Sequence, residues 1–303
     1  MTSRRQGPAG RPSRLRKSAP PPAAAAGDAP VADADGWTDQ HVTVDGRRVF
    51  YRRGPAVEGI PIVHVHGFAI SGSYLMPTAR RLAHLGPTVV PDLPGYGRSE
   101  RWQHTLGIPA LAHALEAILD ALGLAKVVLI GNSMGCAVSL EVAHAAPERV
   151  HRLVLVSPAG GMYNQPFGRA LRQLAVDGTR ENPRMARVAV PDYVRFGPVS
   201  ALNLFGELTR FPALERLLRT PVPTLAVLGD RDPLMPPPHR VREVKALAPE
   251  HVTVALIEGA AHAINFSHPG ELSNVIEEWL EGRDIVDDPD QPGHARALRF
   301  EQD

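Results

Sequence analysis

The stretch Gly131-Asn132-Ser133-Met134-Gly135 decides the fold, because it joins two segments of different periodicity. Before it, Lys126–Ile130 is a short apolar run that is typical of a buried strand. After it, Met134–Ala146 places apolar residues three and four positions apart, as a helix does. A Gly-x-Ser-x-Gly turn between a strand and a helix holds its serine in a strained conformation at the positive end of the helix. Ser133 is therefore a candidate nucleophile, and the alternative is a glycine-rich turn with an inert serine.

The alternation of strand-like and helix-like segments continues on both sides of this turn. Two extended runs around Asp45-Gly46 predict a hairpin, since this dipeptide tolerates the positive φ angles of a tight turn. Further strand-like runs are Ile60–Val65, Thr88–Val90, Leu153–Val156, Thr224–Leu228 and Val252–Ile257. Further helix-like runs are Tyr74–Leu85, Ile108–Leu122, Arg240–Leu247 and Pro269–Leu280. This order predicts an α/β fold with a mostly parallel sheet of eight strands, flanked by helices.

One segment breaks the alternation. Residues 160–220 are helix-like throughout, and five prolines divide them: Pro166, Pro183, Pro191, Pro198 and Pro212. We interpret this segment as a helical cap inserted over one edge of the sheet. The α/β core then consists of residues 37–159 and 221–282.

The two ends of the chain lack the patterns of a folded core. Residues 1–36 are basic at first and then rich in Ala and Pro, which predicts a disordered tail. Residues 283–303 are polar and predict a C-terminal tail, with a short helix around His294–Arg299.

The composition excludes several classes of protein. Lys and Arg number 33 against 32 Asp and Glu, so the net charge of +1 provides no field for holding nucleic acid. The single cysteine, Cys136, excludes an intrachain disulfide and an all-cysteine metal site. The sequence contains no run of 18 uncharged apolar residues, so it predicts no transmembrane helix. The Arg4-Arg5 pair is not followed by the apolar stretch of an export signal, so we expect a cytoplasmic location.

A serine nucleophile needs a base, and the base needs an acceptor that orients it. Two downstream segments follow predicted strands and carry these residue types: Gly229-Asp230-Arg231-Asp232-Pro233 and Gly259-Ala260-Ala261-His262. Because the carboxyl ends of parallel strands meet at one edge of a sheet, both segments should lie near Ser133. The base is then His262, and either Asp230 or Asp232 could orient it.

Five motifs in the same order make the chain resemble the α/β-hydrolase fold family over about residues 40–282. They are His66-Gly67-Phe68, Asp92–Ser99, the Ser133 turn, Gly229-x-x-Asp232 and Gly259-x-x-His262. The resemblance implies that Ser133 is the nucleophile, that His262 is the general base and acid, and that Asp232 orients His262. The glycine-to-acid spacing of the family favours Asp232 over Asp230.

The resemblance also implies an oxyanion hole built from backbone N–H groups. One belongs to Met134, directly after the nucleophile, and the other to Phe68. His66 is implied to brace the loop that carries Phe68. His64 and His66 could suggest a metal pair, but no third ligand is evident, so we expect neither a metal nor another cofactor.

The serine excludes those relatives that use an aspartate nucleophile. The resemblance then implies hydrolysis of a carboxylic ester in a small-molecule acyl substrate. The alternatives are hydrolysis of a carbon–carbon bond in a β-diketone, and ligand binding without turnover. Between 161 and 220 the chain carries nine Arg and no Lys. These arginines form either a basic pocket mouth for a carboxylate-bearing substrate or a solvated surface.

Overall fold

The computed structural model describes residues 31–102, 104–159, 166–235, 250–285 and 295–297. Within these ranges nine strands form one sheet, in the order β1-β2-β4-β3-β5-β6-β7-β8-β9. The strands are β1 (Thr38–Val44), β2 (Arg47–Arg53), β3 (Ile62–Val65), β4 (Thr88–Pro91), β5 (Val127–Asn132), β6 (Val150–Val156), β7 (Thr224–Gly229), β8 (Val252–Ile257) and β9 (Ala295–Ala297).

The predicted mostly parallel sheet of eight strands is confirmed by β1 to β8. Strands β3 to β8 all run parallel to one another, whereas β2 pairs antiparallel with β4. Strands β1 and β2 form the predicted antiparallel hairpin, in which Val44 faces Arg47. The turn between them uses φ angles of 49° at Asp45 and 75° at Gly46, as a tight hairpin requires.

The predicted short helix around His294–Arg299 is wrong, because Ala295–Ala297 forms β9. This strand pairs antiparallel with β8, where Ala255 faces Ala297. An unpaired edge strand presents a row of free backbone N–H and C=O groups. Pairing with β9 satisfies part of that row on β8, which a single helical turn in the tail could not do.

Nine α-helices lie in the described part of the chain. They are α1 (Met76–Leu82), α2 (Ile108–Ala121), α3 (Met134–Ala145), α4 (Phe167–Arg180), α5 (Ala186–Phe196), α6 (Pro198–Leu208), α7 (Ala213–Arg219), α8 (Ile264–Ser267) and α9 (Pro269–Leu280). None of these helices is long and apolar enough to cross a bilayer. The predicted helix Arg240–Leu247 lies outside the described residues.

The core lies on both faces of the sheet, and β5 shows how it is divided. Val127 and Leu129 join one buried cluster, which contains residues of α2 and α3. Val128 and Ile130 alternate to the other face and join a second cluster, which contains residues of α9. A strand buried on both faces has to be apolar at every position, which explains the unbroken apolar run that marked β5 in the sequence.

The helical insertion between β6 and β7 consists of α4 to α7, and we refer to these helices as the cap. Pro198 begins α6, while Pro166 and Pro212 immediately precede α4 and α7. Pro191 departs from the predicted role, because it lies inside α5 instead of dividing two helices. Proline removes one backbone hydrogen bond of a helix interior, and at the exposed position 191 water can bond to the carbonyl that is left over.

The cap is attached to the core by carboxylates that accept hydrogen bonds from backbone N–H groups. Glu207 accepts from Ile108 at 2.7 Å, at the first turn of α2. Asp192 accepts from Ser71 at 2.8 Å. Two further carboxylates, Asp177 and Glu181, do the same next to the candidate site and are described below. Charged acceptors make these bonds stronger than hydrogen bonds between neutral groups.

The boundaries of the two tails differ from the prediction. Residues 1–30 lie outside the described residues, but the carboxylate of Asp33 accepts hydrogen bonds from the N–H groups of Asp35 and Trp37. Asp33 also pairs with Arg80 of α1, so residues 33–37 form a turn that is held against the core. At the other end, Ile285 is buried in the core, beyond the predicted boundary at 282.

The packing of α3 on the sheet predicts a strong effect of Gly135→Ala. A methyl group at this position would overlap the carbonyl oxygen of Val65. Since both atoms belong to packed elements, we expect a loss of about 3 kcal/mol and a fall in Tm of at least about 5 °C. The control is Gly168→Ala in α4, where the new methyl group meets open space and Tm should stay within about 2 °C. Equal melting temperatures for the two variants would contradict this account.

Candidate active site

The strained turn predicted at Ser133 is present. Ser133 has φ 55° and ψ −116°, a backbone conformation that is costly for any residue with a side chain. A methyl group at position 131 would overlap the carbonyl oxygen of Gly135. The N–H of Ser133 donates to Val156 at 3.0 Å, which ties the turn to the end of β6. The two glycines therefore allow a turn tight enough to hold Ser133 beyond the end of the sheet.

The predicted oxyanion residues flank this serine. Met134 is the first residue of α3, and the first N–H groups of a helix have no acceptor within the helix. On the other side, a methyl group on Gly67 would lie 3.3 Å from Cβ of Ser133, so the loop that carries Phe68 touches the serine. Both Phe68 and Ser133 line one cavity.

His66 holds this loop in place, as the resemblance implied. Its Nε2 accepts a hydrogen bond from the N–H of Leu93 at 2.9 Å. Its Nδ1 therefore carries the proton and donates it to the carbonyl oxygen of Gly67 at 2.9 Å. Both ring nitrogens are thus used inside the protein, and neither is free to bind a metal.

Sequence reasoning missed a hydrogen-bond network that joins three loops of the site. The hydroxyl of Tyr74 accepts from the N–H of Gly67 at 2.8 Å and donates to Oδ1 of Asn132 at 2.5 Å. The amide nitrogen of Asn132 donates to the carbonyl oxygens of Val156 at 3.0 Å and His262 at 3.4 Å. Asn132 occupies a variable position of the Gly-x-Ser-x-Gly pattern, so the pattern carries no signal for this role.

Of the two candidate acids, the structure brings Asp232 to His262. Oδ2 of Asp232 lies 2.7 Å from Nδ1 of His262, and the Asp232 side chain is fully buried. Its Oδ1 accepts from the N–H of Leu234 at 2.8 Å, which fixes the carboxylate. Asp230 points elsewhere, because its Oδ1 accepts from the N–H of Gly259 at 2.7 Å at an exposed position.

His262 is left with one nitrogen for chemistry. Because Nδ1 donates to Asp232, the neutral ring carries its lone pair on Nε2. This Nε2 is buried and has no hydrogen-bond partner among the described residues. His262 and Ser133 are each 8% exposed and line the same cavity. A base with a free nitrogen therefore lines the same cavity as the strained serine, and both side chains are nearly buried.

The charges around His262 determine its pKa. Burial alone would lower the pKa of His262, but the adjacent Asp232 carboxylate and its hydrogen bond outweigh burial. Asp177 and Glu181 add to this effect, and together the four contributions raise the pKa of His262 to about 9. The imidazolium form of His262 is thus stabilised by three carboxylates.

Two of these carboxylates come from the cap, and sequence reasoning did not single them out. Oδ1 of Asp177 accepts from the backbone N–H of His262 at 3.3 Å, and Oε1 of Glu181 accepts from that of Ala263 at 2.6 Å. Burial raises the pKa of Asp177 to about 7 and also raises the pKa of Glu181. Asp177 lies in the last turn of α4 and Glu181 follows that helix. Negative charge is unfavourable at a helix C-terminus, and this placement is a signal that could have identified them.

The cavity has a volume of about 660 Å³ and opens between the cap and the ends of the strands. Most of the residues that line it are apolar, among them Phe68, Ile70, Leu174, Met185, Val190 and Val194. None of the described lining residues is an Arg or a Lys. Eight of the nine cap arginines are exposed, and Arg216 pairs with Glu141. The arginines therefore form a solvated surface and do not make a basic pocket mouth.

His64, Asp92 and Cys136 are all buried inside the protein. His64 is fully buried, burial lowers its pKa to about 3, and neither ring nitrogen has a partner among the described residues. Asp92 is buried and accepts from Arg52 at 3.0 Å and from Gly72 at 2.9 Å. The thiol of Cys136 is buried and contacts the carbonyl oxygens of Gly131 and Val156. The described residues contain no group of three metal-ligating side chains.

This geometry is suited to acyl transfer. A hydroxyl group on a strained turn, a base with a free nitrogen and a buried carboxylate behind the base are the groups that a Ser-His-Asp mechanism requires. Phe68 follows Gly67, which contacts Ser133, and Met134 begins α3 directly after the serine, so their backbone N–H groups are the candidates for an oxyanion hole. The mostly apolar lining of the cavity lowers the local dielectric and strengthens each of these polar interactions.

Comparison with known proteins identifies relatives that share the α/β-hydrolase fold. A family model for the α/β hydrolase fold matches residues 60–181. The dihydrolipoyllysine-residue acetyltransferase component of the acetoin cleaving system of Pseudomonas putida is 30% identical over 269 residues, which cover 82% of this chain and 70% of that protein.

Two further relatives carry names of ester-cleaving enzymes. Lipase LipV of Mycobacterium tuberculosis is 35% identical over 134 residues, covering 44% of this chain and 45% of the lipase. This chain thus spans less than half of that lipase. The crystal structure of a bacterial membrane phospholipase A superposes with a TM-score of 0.71 and 21% identity, over 82% of this chain and 87% of that one. At this sequence identity the superposition supports a shared fold and nothing more.

The different contacts of the two aspartates predict different effects of matched substitutions. Asp232→Asn keeps the shape but can donate from its amide, so it can hold His262 in the wrong tautomer. We expect a loss of about 10⁴ in the turnover of a short activated ester. Asp230→Asn is the control and should cost about tenfold at most, because Asp230 contacts only the loop at Gly259. Circular dichroism checks that both variants fold. The reverse order of activities would show that Asp230 orients the histidine.

The raised pKa of His262 predicts reactivity that increases with pH. A protonated imidazole cannot accept the serine proton, so covalent labelling of Ser133 by a fluorophosphonate should accelerate as His262 loses its proton. We expect a midpoint near pH 9, because the pKa of His262 is raised to about 9. The measurement is the labelling rate from pH 6 to 10, corrected for hydrolysis of the reagent in buffer. A midpoint at or below the ordinary histidine value of about 6.5 would contradict the assigned electrostatics.

Proposed function

The chain belongs to the α/β-hydrolase fold family, and we propose that it is a serine hydrolase that cleaves a carboxylic ester through an acyl-enzyme intermediate. One observation carries the proposal. Nδ1 of His262 is held at 2.7 Å by Asp232, while Nε2 stays without a partner in the cavity that Ser133 also lines. This pairing fixes the tautomer that can take a proton from a serine hydroxyl.

The proposed reaction has two steps, formation and hydrolysis of an acyl-enzyme, and both use the same groups of the site. Ser133 Oγ attacks the ester carbonyl carbon, and its proton passes to Nε2 of His262. The negative charge that develops on the carbonyl oxygen is stabilised by the N–H groups of Phe68 and Met134. The alcohol leaves with the proton from His262, and the acyl group remains on Ser133. A water molecule then gives a proton to His262 and attacks the acyl carbonyl carbon. The bond to Ser133 Oγ breaks, His262 returns the proton to that oxygen, and the acid leaves.

The lining of the cavity supports a substrate with an apolar acyl group. A volume of about 660 Å³ lies in the range of small-molecule sites. The apolar side chains of α4 and α5 face the serine across the cavity. Burial of an acyl chain there removes apolar surface from water, at about 0.8 kcal/mol for each CH₂ group. The similarity to Lipase LipV also supports ester hydrolysis.

The test of this proposal is Ser133→Ala. Removal of the nucleophile should lower the turnover of p-nitrophenyl esters by about 10⁶ and abolish labelling by a fluorophosphonate. The matched control is Ser139→Ala, which removes a second buried hydroxyl in the same helix and should leave labelling intact. Activity of Ser133→Ala within tenfold of the wild type would exclude the serine mechanism. A folded wild-type protein that is not labelled would favour a protein of this fold that binds ligands without turnover.

A further inference from the structure

Two carboxylates of the cap project charge into an otherwise apolar cavity. Asp177 is 5% exposed, and both Asp177 and Glu181 line the cavity beside Ser133 and His262. Each has one oxygen bonded to a backbone N–H group of the loop at His262 and Ala263. The proposed reaction assigns no step to either carboxylate, so their presence in the cavity calls for another explanation.

The charge of these carboxylates is not balanced within the cavity. Among the described lining residues His262 is the one group that can carry positive charge, and Asp232 already pairs with it. The second oxygen of Glu181 is buried and has no hydrogen-bond partner among the described residues. With Asp177 and Glu181 ionised, the site is negative even when His262 is protonated. Without them, the His262–Asp232 pair would be close to neutral.

We infer that Asp177 and Glu181 make the site select substrates by charge, so that it rejects acyl groups that end in a carboxylate and favours acyl groups that carry a cation. This inference rests on the proposed ester hydrolysis. Two like charges repel strongly in an apolar cavity, where water and salt screen little. A cationic group would instead gain the unpaired oxygen of Glu181 as a partner. The ring of Tyr193, which lines the same cavity, offers a further surface for a quaternary ammonium group.

The competing explanation is that both carboxylates only attach the cap to the loop at His262. Asn and Gln separate the two explanations, because their amide oxygens can still accept from the same N–H groups. Asp177→Asn and Glu181→Gln therefore keep the hydrogen bonds and remove the charge. Glu215→Gln is the matched control, since Glu215 is an exposed cap carboxylate outside the cavity that pairs with Arg219.

The experiment compares three p-nitrophenyl esters with acyl chains of the same length. They are the hexanoate, the adipate monoester with its terminal carboxylate, and the 6-(trimethylammonio)hexanoate. The measurement is kcat/KM at pH 8.5, above the pKa of about 7 to which burial raises Asp177. We expect wild-type protein to prefer the hexanoate to the adipate by at least about tenfold. The double variant should shrink this preference at least about tenfold and lose turnover of the cationic ester.

The controls separate charge selection from damage to the site. Glu215→Gln should keep all three ratios, and each single variant should give an intermediate shift, which tests the inference even if the double variant does not fold. Turnover of the hexanoate shows that the variants remain active. The inference is overturned if the double variant hydrolyses the hexanoate but keeps the wild-type ratio of adipate to hexanoate within twofold.

A binding measurement distinguishes failure of charge selection from failure of the proposed ester hydrolysis. Ser133→Ala cannot form an acyl-enzyme, yet its cavity should bind hexyltrimethylammonium at least about tenfold more tightly than hexanesulfonate in calorimetric titration. Adding Asp177→Asn and Glu181→Gln to this variant should abolish the difference. If no ester is hydrolysed but this preference is found, ester hydrolysis is wrong and charge selection holds. Equal binding of both ions overturns charge selection even if ester hydrolysis is confirmed.

Discussion

The contact between Gly135 and the carbonyl oxygen of Val65 leaves no room for a side chain, and the rest of the site depends on it. It brings the start of α3 against the end of β3. Ser133 then has to complete the turn with a φ of 55°. The same position 135 also lies close to the carbonyl oxygen of His66, at the start of the loop that carries Gly67 and Phe68. The strain at Ser133 is thus the cost of bringing a helix terminus and a strand end together around one hydroxyl group.

Three loops that are far apart in the sequence have to keep their positions for this arrangement to work. Tyr74 and Asn132 hold them together through a chain of buried hydrogen bonds that runs from Gly67 to the carbonyl oxygen of His262. Buried polar groups are costly unless all of them are paired. A shift of any one loop would leave several of these groups unpaired, so the network favours a single geometry of the site.

The sequence predicts most of the sheet, because β3 to β8 are buried on both faces and read as apolar runs. It also predicts Ser133 and His262 and the pair Asp230 and Asp232, because each follows a strand and therefore reaches the same edge. The choice of Asp232 depends on the resemblance to the α/β-hydrolase family. The sequence does not predict β9, whose pairing depends on an open edge elsewhere in the chain. The sequence also predicts a helix boundary at Pro191, but this proline lies inside α5, because a solvent-exposed helix can tolerate a proline.

Local sequence patterns do not predict the cap residues of the site, for a different reason. Asp177 and Glu181 bond to backbone groups about 80 residues away in the sequence. Almost every residue has a backbone N–H group. The residue that donates such a bond can therefore be of nearly any type, and the sequence does not identify it. Asn132 escaped notice for a similar reason, because a Gly-x-Ser-x-Gly pattern leaves its position open.

The attachment of the cap through backbone N–H groups has a consequence for recombination between relatives. Asp192 and Glu207 bond to the main chain of Ser71 and Ile108, as Asp177 and Glu181 do at His262 and Ala263. Main-chain donors occupy the same places in any core that folds in this way, whatever its side chains are. A chimaera that carries these four acids could therefore dock onto a foreign core without matching residues there. Strands β6 and β7, which flank the insertion, pair directly with each other and would supply the two points of exchange.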